Sequence, residues 1–261
     1  MSELRAVPFD RESGDIKTIV TSFWSKRAES FAGTRHDEAH SYKADLWIKD
    51  LSERLPQKKY LRILDAGCGA GFFEMLLAPL GHEITGIDLT PDMIEKGRVL
   101  LAQHNASNAE LLVMDAEKPD FPDSFFDAVI SRNLTWNLPH PAEAYREWHR
   151  VLKPGGVLLN YDAEYAKGFH EYDQAENCAH AEIDDALIEE CHDIYHMLSI
   201  SSLDRPEWDL EVLKEIGFSE VSADRGAGDR LYGVKDRFYM PDRMFCIRAV
   251  KQPHIKTEVM I

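Results

Sequence analysis

Leu64-Asp65-Ala66-Gly67-Cys68-Gly69-Ala70-Gly71 is the stretch that decides the fold, with Gly86-Ile87-Asp88 following it. Leu61, Ile63 and Leu64 form an apolar run of strand type, three alternating glycines follow, and a helical pattern begins directly behind them. Bare backbone is thereby placed at the carboxyl end of a strand, where open α/β sheets bind their ligands. A dinucleotide fingerprint has the spacing Gly-x-Gly-x-x-Gly, which seats a pyrophosphate on the helix N-terminus. Here the spacing is Gly-x-Gly-x-Gly, Asp65 stands in front, and Phe72 fills the place of the third dinucleotide glycine. An acid beside the loop suits a cationic or amine-bearing ligand better than a doubly negative one.

Outward from this loop, strands and helices alternate. Tyr60–Asp65 reads as a strand and Gly71–Leu80 as a helix stopping at Gly81. Glu83–Asp88 is the next strand, and Pro91–Gln103 a helix with Thr90 as N-cap and proline at its first position. Glu110–Met114 and Phe125–Ser131 are further strands, the latter with the near-continuous apolar run of a buried parallel strand. Pro141–Val151 is a helix, Lys153–Gly156 a turn and Val157–Tyr161 a strand. Such alternation means βαβ units and a parallel sheet, an α/β fold. Ala163 to Ser202 breaks the rhythm as an acidic, histidine-bearing helical insertion. After it come a helix at Pro206–Ile216 and strands at Phe218–Ala223 and Met244–Val250. Asp15 to Leu55 is helical by its spacing of Ile16, Ile19, Val20 and Phe23 and of Ala44, Trp47, Ile48 and Leu51, with a polar stretch from Thr34 to Ser41 between the two sets. The expected organisation is a helical cap segment over 1–55, a core over 56–250 with the insertion at 163–205, and a tail over 251–261.

The chain has 261 residues and a formal net charge of −16. That charge disfavours nucleic-acid partners, which need clustered Lys and Arg. Four cysteines without a Cys-x-x-Cys pair indicate neither a disulfide scaffold nor a ribbon-type zinc site. No apolar run reaches about 18 residues, so no membrane span is expected. The first residues lack the apolar core of a signal peptide, and a cytoplasmic monomer or homodimer is the expectation.

Four motifs in order make the pattern resemble the class I S-adenosylmethionine-dependent methyltransferases, most closely their ubiquinone/menaquinone-biosynthesis-like small-molecule branch. These are the glycine loop, Gly86-Ile87-Asp88-Leu89-Thr90-Pro91-Asp92-Met93, Met114-Asp115-Ala116-Glu117 with Pro122–Asp127, and Arg150–Gly156. The resemblance covers roughly Tyr60 to Tyr161. It implies a Rossmann-like, doubly wound, seven-stranded and mostly parallel sheet whose last strand is antiparallel, with a helical cap. It also implies S-adenosylmethionine as cofactor, S-adenosylhomocysteine as product and a small-molecule acceptor. Asp88 then meets the ribose hydroxyls, Asp115 and Ala116 the adenine, and Asp65 with Gly67, Cys68, Gly69 and Gly71 the methionine end. Leu89, Met93, Asn133 and Leu134 complete the cofactor site.

For the acceptor side the family resemblance implies a pocket built from the N-terminal segment and the insertion. The polar candidates there are His36, His40, Tyr42, Tyr161, Asp162, Tyr165 and His170. Trp136 is placed either in that pocket or under the next helix, and Trp148 in the core. His192 and His196, four apart on a helix, with Cys191, Cys178 and His180, are a conceivable metal group. No Glu follows His192 directly, so the zincin pattern is missing and no metal is assigned. Two alternatives stand beside methyl transfer: a non-catalytic cofactor-binding module, and a nucleotide-dependent oxidoreductase, against which the glycine spacing argues.

Overall fold

The computed structural model describes residues 13–104, 106–167 and 183–253. Two helices come first, α1 (Ser13–Ala39) and α2 (Lys43–Arg54). The alternating core follows: β1 (Arg62–Ala66), α3 (Phe72–Leu77), β2 (Glu83–Asp88), α4 (Pro91–Gln103), β3 (Ala109–Val113), β4 (Phe126–Arg132), α5 (Pro141–Val151) and β5 (Leu152–Asp162). Beyond it lie α6 (Asp185–Met197), α7 (Glu207–Ile216), β6 (Phe218–Asp224), α8 (Ala227–Tyr232) and β7 (Phe245–Lys251).

The strands form one seven-stranded sheet in the order β3-β2-β1-β4-β5-β7-β6. All neighbours up to β5 are parallel, and β7 runs antiparallel to both β5 and β6. The expected doubly wound sheet with an antiparallel last strand is therefore present. Its order reverses between β1 and β4, and the crevice at such a switch point is where an open sheet receives a ligand. Strand alternation sorts the core onto two faces. Ile63 belongs to one, with Trp47, Leu51, Phe72, Phe73 and Tyr232; Leu64 belongs to the other, with Tyr145, Trp148, Val212 and Leu213. A third cluster joins Ile16 and Phe23 of α1 to Trp136 and to Ile194 of α6.

Three local expectations differ from what forms. The helical pattern read from Asp15 to Leu55 breaks over residues 40–42 between α1 and α2, so the polar stretch from Thr34 to Ser41 is helical only as far as Ala39. Arg35 and Glu38 are buried there, and their burial holds polar residues in helix. The Lys153–Gly156 turn lies inside β5, where Leu152 pairs with Phe126 before a register shift. The helix α8 occupies a segment assigned no element, burying Ala227, Leu231 and Tyr232. The chain beyond residue 253 and the stretch 168–182 lie outside the described residues, and His170, Cys178 and His180 with them. No described helix is long and apolar enough to cross a membrane.

Candidate active site

The carboxyl ends of β1, β2 and β4 converge on one cavity. Its floor is the glycine loop. The Gly67 and Cys68 amides both donate to the Ile87 carbonyl, at 2.8 and 3.0 Å, which folds the loop back over the tip of β2. Gly67 has a φ of +73°, and a Cβ there would stand 2.7 Å from a Leu134 methyl. Only glycine satisfies both demands. Asp88 fixes the other side: one carboxylate oxygen accepts from Gly69 N–H at 3.0 Å and the other from Thr90 N–H at 2.8 Å. Burial raises its pKa against the pull of those amides.

Under the floor, Asp65 faces Glu74 of α3 in a fully buried carboxyl pair, and neither Glu74 oxygen has another partner. Burial pushes Asp65 up to about 8, and burial with the Asp65 charge takes Glu74 well above the carboxylate range. Two such groups cannot both ionise without water, so the pair retains a proton at neutral pH.

A positive corner closes the β4 end. Arg132 and Arg35 both bind Glu38, which also receives the Tyr232 hydroxyl. Burial would raise Glu38, but Arg132 and Arg35 outweigh it and hold it at about 2. Two guanidiniums thus share one carboxylate. Nε and Nη1 of Arg132 and Nε of Arg35 are buried without a partner, and both residues line the cavity. The opposite end is closed by Lys17 of α1, whose ammonium lies 2.6 Å from carboxylate oxygens of both Asp115 and Glu117.

Above the floor the walls become aromatic. Trp136 sits at the centre of a group with Trp24 (ring centroids 6.5 Å apart), Tyr165 (5.5 Å) and Tyr195 (5.0 Å). Phe23, Phe31 and Leu187 extend this lining. Asp242 is the carboxyl on this side, and burial pushes it up to about 6. Cys191 of α6 is pushed up to about 11 by burial and is a wall residue.

The cavity gathers Asp65, Gly67, Cys68, Gly69, Asp88, Leu89, Met93, Asp115, Ala116, Asn133 and Leu134 of the cofactor-side expectation. Gly71 stands just behind them as the residue preceding α3. Trp136 is in the pocket, and Trp148 is core, donating to the Ala116 carbonyl at 3.0 Å. The acceptor-side candidates fare differently. Tyr165 lines the cavity and donates to Asn133 Oδ1 at 2.7 Å. Tyr161 is fully buried under the sheet and donates to Asp50 at 2.8 Å, and Tyr42 is exposed and donates to Asp236. Asp162 is locked among Thr135, Trp136 N–H and Arg205 in a buried network. His36 and His40 lie outside the cavity lining, stacked on each other and against His104. None of Tyr42, Tyr161, His36, His40 and Asp162 lines this cavity. Arg35, Arg132, Glu74, Lys17 and Asp242 went unmarked in the sequence. Lys17, Trp24, Arg27, Phe31 and Arg35 recur at helical spacing and are one face of α1, a signal that was present. Asp242 carries no such signal, because only the folding of the loop before β7 brings it to the cavity.

Comparison with known proteins agrees with this geometry. A family model described as "Methyltransferase domain" matches residues 64–160. A demethylmenaquinone methyltransferase of Listeria monocytogenes is 33% identical over 120 residues, 44% of this chain and 50% of that protein. A ubiquinone/menaquinone biosynthesis C-methyltransferase of Pseudomonas putida is 33% identical over 171 residues, 58% of this chain and 66% of that protein. The chain thus spans about half the length of the first of these relatives. A Methanococcus maripaludis protein assigned to the S-adenosyl-L-methionine-dependent methyltransferases superposes with a TM-score of 0.61 at 18% identity, over 95% of this chain and 98% of that one, a likeness of fold. With its motifs in register, its sheet order and these relatives, the chain carries a methyltransferase domain over residues 64–160 and is similar to S-adenosylmethionine-dependent methyltransferases of the ubiquinone/menaquinone-biosynthesis type.

Proposed function

We propose that the protein transfers a methyl group from S-adenosylmethionine to a small-molecule acceptor by SN2 displacement. The observation that carries this is the continuity of one cavity, from a strand-tip floor of glycine amides and carboxylates to an aromatic chamber above it. S-Adenosylmethionine, when bound, supplies an activated methyl on a sulfonium. The floor suits its parts. Each Asp88 oxygen accepts one amide and keeps a lone pair for a ribose hydroxyl. Asp115 and Ala116 face the adenine end, and Leu89, Met93 and Leu134 supply apolar surface beside it. Asp65 is the acid for the ligand's ammonium, and the unpartnered N–H groups of Arg132 and Arg35 are the donors for its carboxylate.

The chamber selects the acceptor. Walls of Trp24, Trp136, Tyr165 and Tyr195 favour a flat, apolar or aromatic molecule, of the quinol kind that the Listeria relative's name indicates. Such walls align the nucleophile and exclude water, and alignment alone supplies much of the acceleration of a displacement. Asp242 is the group placed to take the proton that an attacking hydroxyl, amine or ring carbon must lose.

Thermal unfolding tests the cofactor. S-Adenosylmethionine or S-adenosylhomocysteine at a hundred times its Kd stabilises by about 2.7 kcal/mol, and NAD should do nothing. Asp88→Ala should weaken both ligands by about ten- to a hundredfold, the worth of one hydrogen bond to a charged group. A response to NAD alone overturns the proposal. Release of S-adenosylhomocysteine with a panel of quinols, phenols and amines then separates turnover from mere binding.

A further inference from the structure

We propose that His36, His40 and His104 form a metal site for a first-row divalent ion that favours imidazole, Zn2+ foremost, which clasps α1 to α4. His36 and His40 are one turn apart at the end of α1, so their rings share a face, and His104 caps α4. A donor atom from each lies within 4.8 Å of the other two. Zinc with ligands at about 2.1 Å holds them about 3.4 Å apart, so closure by up to about 1.4 Å is needed. Rotation of the exposed His40 and the half-buried His36 and His104 rings supplies it.

The nitrogens are already sorted for this. His40 Nδ1 lies 2.7 Å from the His36 carbonyl oxygen and donates to it, which leaves Nε2 with its lone pair outward. His36 Nδ1 faces the Asp37 carboxylate at 3.4 Å. A carbonyl or carboxylate behind one ring nitrogen is the arrangement that orients metal-ligating histidines. His104 Nε2 is buried and has no partner, which is a costly state for a ring nitrogen unless an ion completes it. Three neutral imidazoles suit Zn2+, Cu2+ or Ni2+ better than Ca2+ or Mg2+, which take oxygen. None of the three lines the cavity, so the ion would not act on the substrate. Its effect would be mechanical. The same helix α1 roofs the cavity through Lys17, Trp24, Phe31 and Arg35, and an ion at its far end would fix that roof to α4.

The test is a titration of the chelator-stripped full chain with zinc sulfate. We expect one equivalent to bind by calorimetry, with a rise in Tm and slower amide exchange over the last two turns of α1. Long-range 15N correlation spectra of the wild-type protein should show the imidazoles of His36, His40 and His104 shifting together. His104→Gln and His40→Gln should each weaken binding at least tenfold, while the double variant His192→Gln/His196→Gln should bind as wild type. Shifts at His192 and His196 instead, binding lost in that double variant, no binding by the wild type, or zinc binding without slower exchange in α1 would each overturn the proposal. The spectra need no variant, so a misfolded substitution does not obscure the result.

Discussion

Asp65 and Glu74 are the two residues whose surroundings are most at odds with their chemistry. The folded pair keeps a proton that the unfolded chain, with ordinary carboxyls, releases above about pH 4. Stability is therefore full below that pH and is lost as pH rises toward about 8, the value to which burial pushes Asp65. The slope reaches about 1.4 kcal/mol per pH unit for one retained proton. Glu74→Gln keeps a donor to Asp65 and removes the need to hold a proton on Glu74 in the folded state. It should raise stability at pH 7 by about 1–3 kcal/mol and flatten the decline, measured by urea unfolding between pH 5 and 8. Asp242 reads in the opposite direction, since a base must be unprotonated. The rate should climb through about pH 6 and level above it, and Asp242→Asn should lower kcat about a hundredfold and abolish that rise, with the S-adenosylmethionine thermal shift unchanged. At this scale the sequence was informative where function rides on a strand tip. Asp65 and Asp88 stand in the last two positions of β1 and β2, and Asp115 and Leu134 two residues past β3 and β4. Arg132 and Asp242 acquire their meaning from elements far along the chain, such as Glu38 for Arg132, and spacing does not reveal them.

Among the elements, α1 is the longest of the described helices. Its moderate apolar pattern marks a helix, but its length comes from buried polar contacts of Arg35 and Glu38 that no local periodicity encodes. The strands β1, β2 and β4 were legible because their apolar runs are local and bounded by turn residues. The helix α8 was not, since six residues between polar segments leave too little pattern to see. One contact of α1 bears directly on ligand exchange. The Lys17 ammonium holds Asp115, the acid that the proposed function sets at the adenine end, and Glu117 beside it. Burial would lower the Lys17 pKa, yet its bonds to Asp115 and Glu117 outweigh burial and raise it, so the latch stays charged. Lys17→Gln should speed both association and dissociation of S-adenosylhomocysteine about threefold to tenfold, as the loss of a half-buried ion pair of about 1 kcal/mol predicts. Stopped-flow fluorescence of the nearby tryptophans measures both rates.

Over the whole molecule, the sheet supplies the floor and the flanking helices α1 and α6 the walls, with the tight loop below and the aromatic chamber above forming one cavity. That stacking has a kinetic consequence. On the proposed function the cofactor lies on the glycine-loop floor, and an acceptor seated between Trp24, Trp136 and Tyr195 lies over it. Catalysis should then be compulsory in order: cofactor first on, methylated acceptor first off, S-adenosylhomocysteine last. Product-inhibition patterns record this as S-adenosylhomocysteine competing with S-adenosylmethionine while remaining noncompetitive toward the acceptor. High acceptor concentration should also slow turnover by trapping the spent cofactor beneath it.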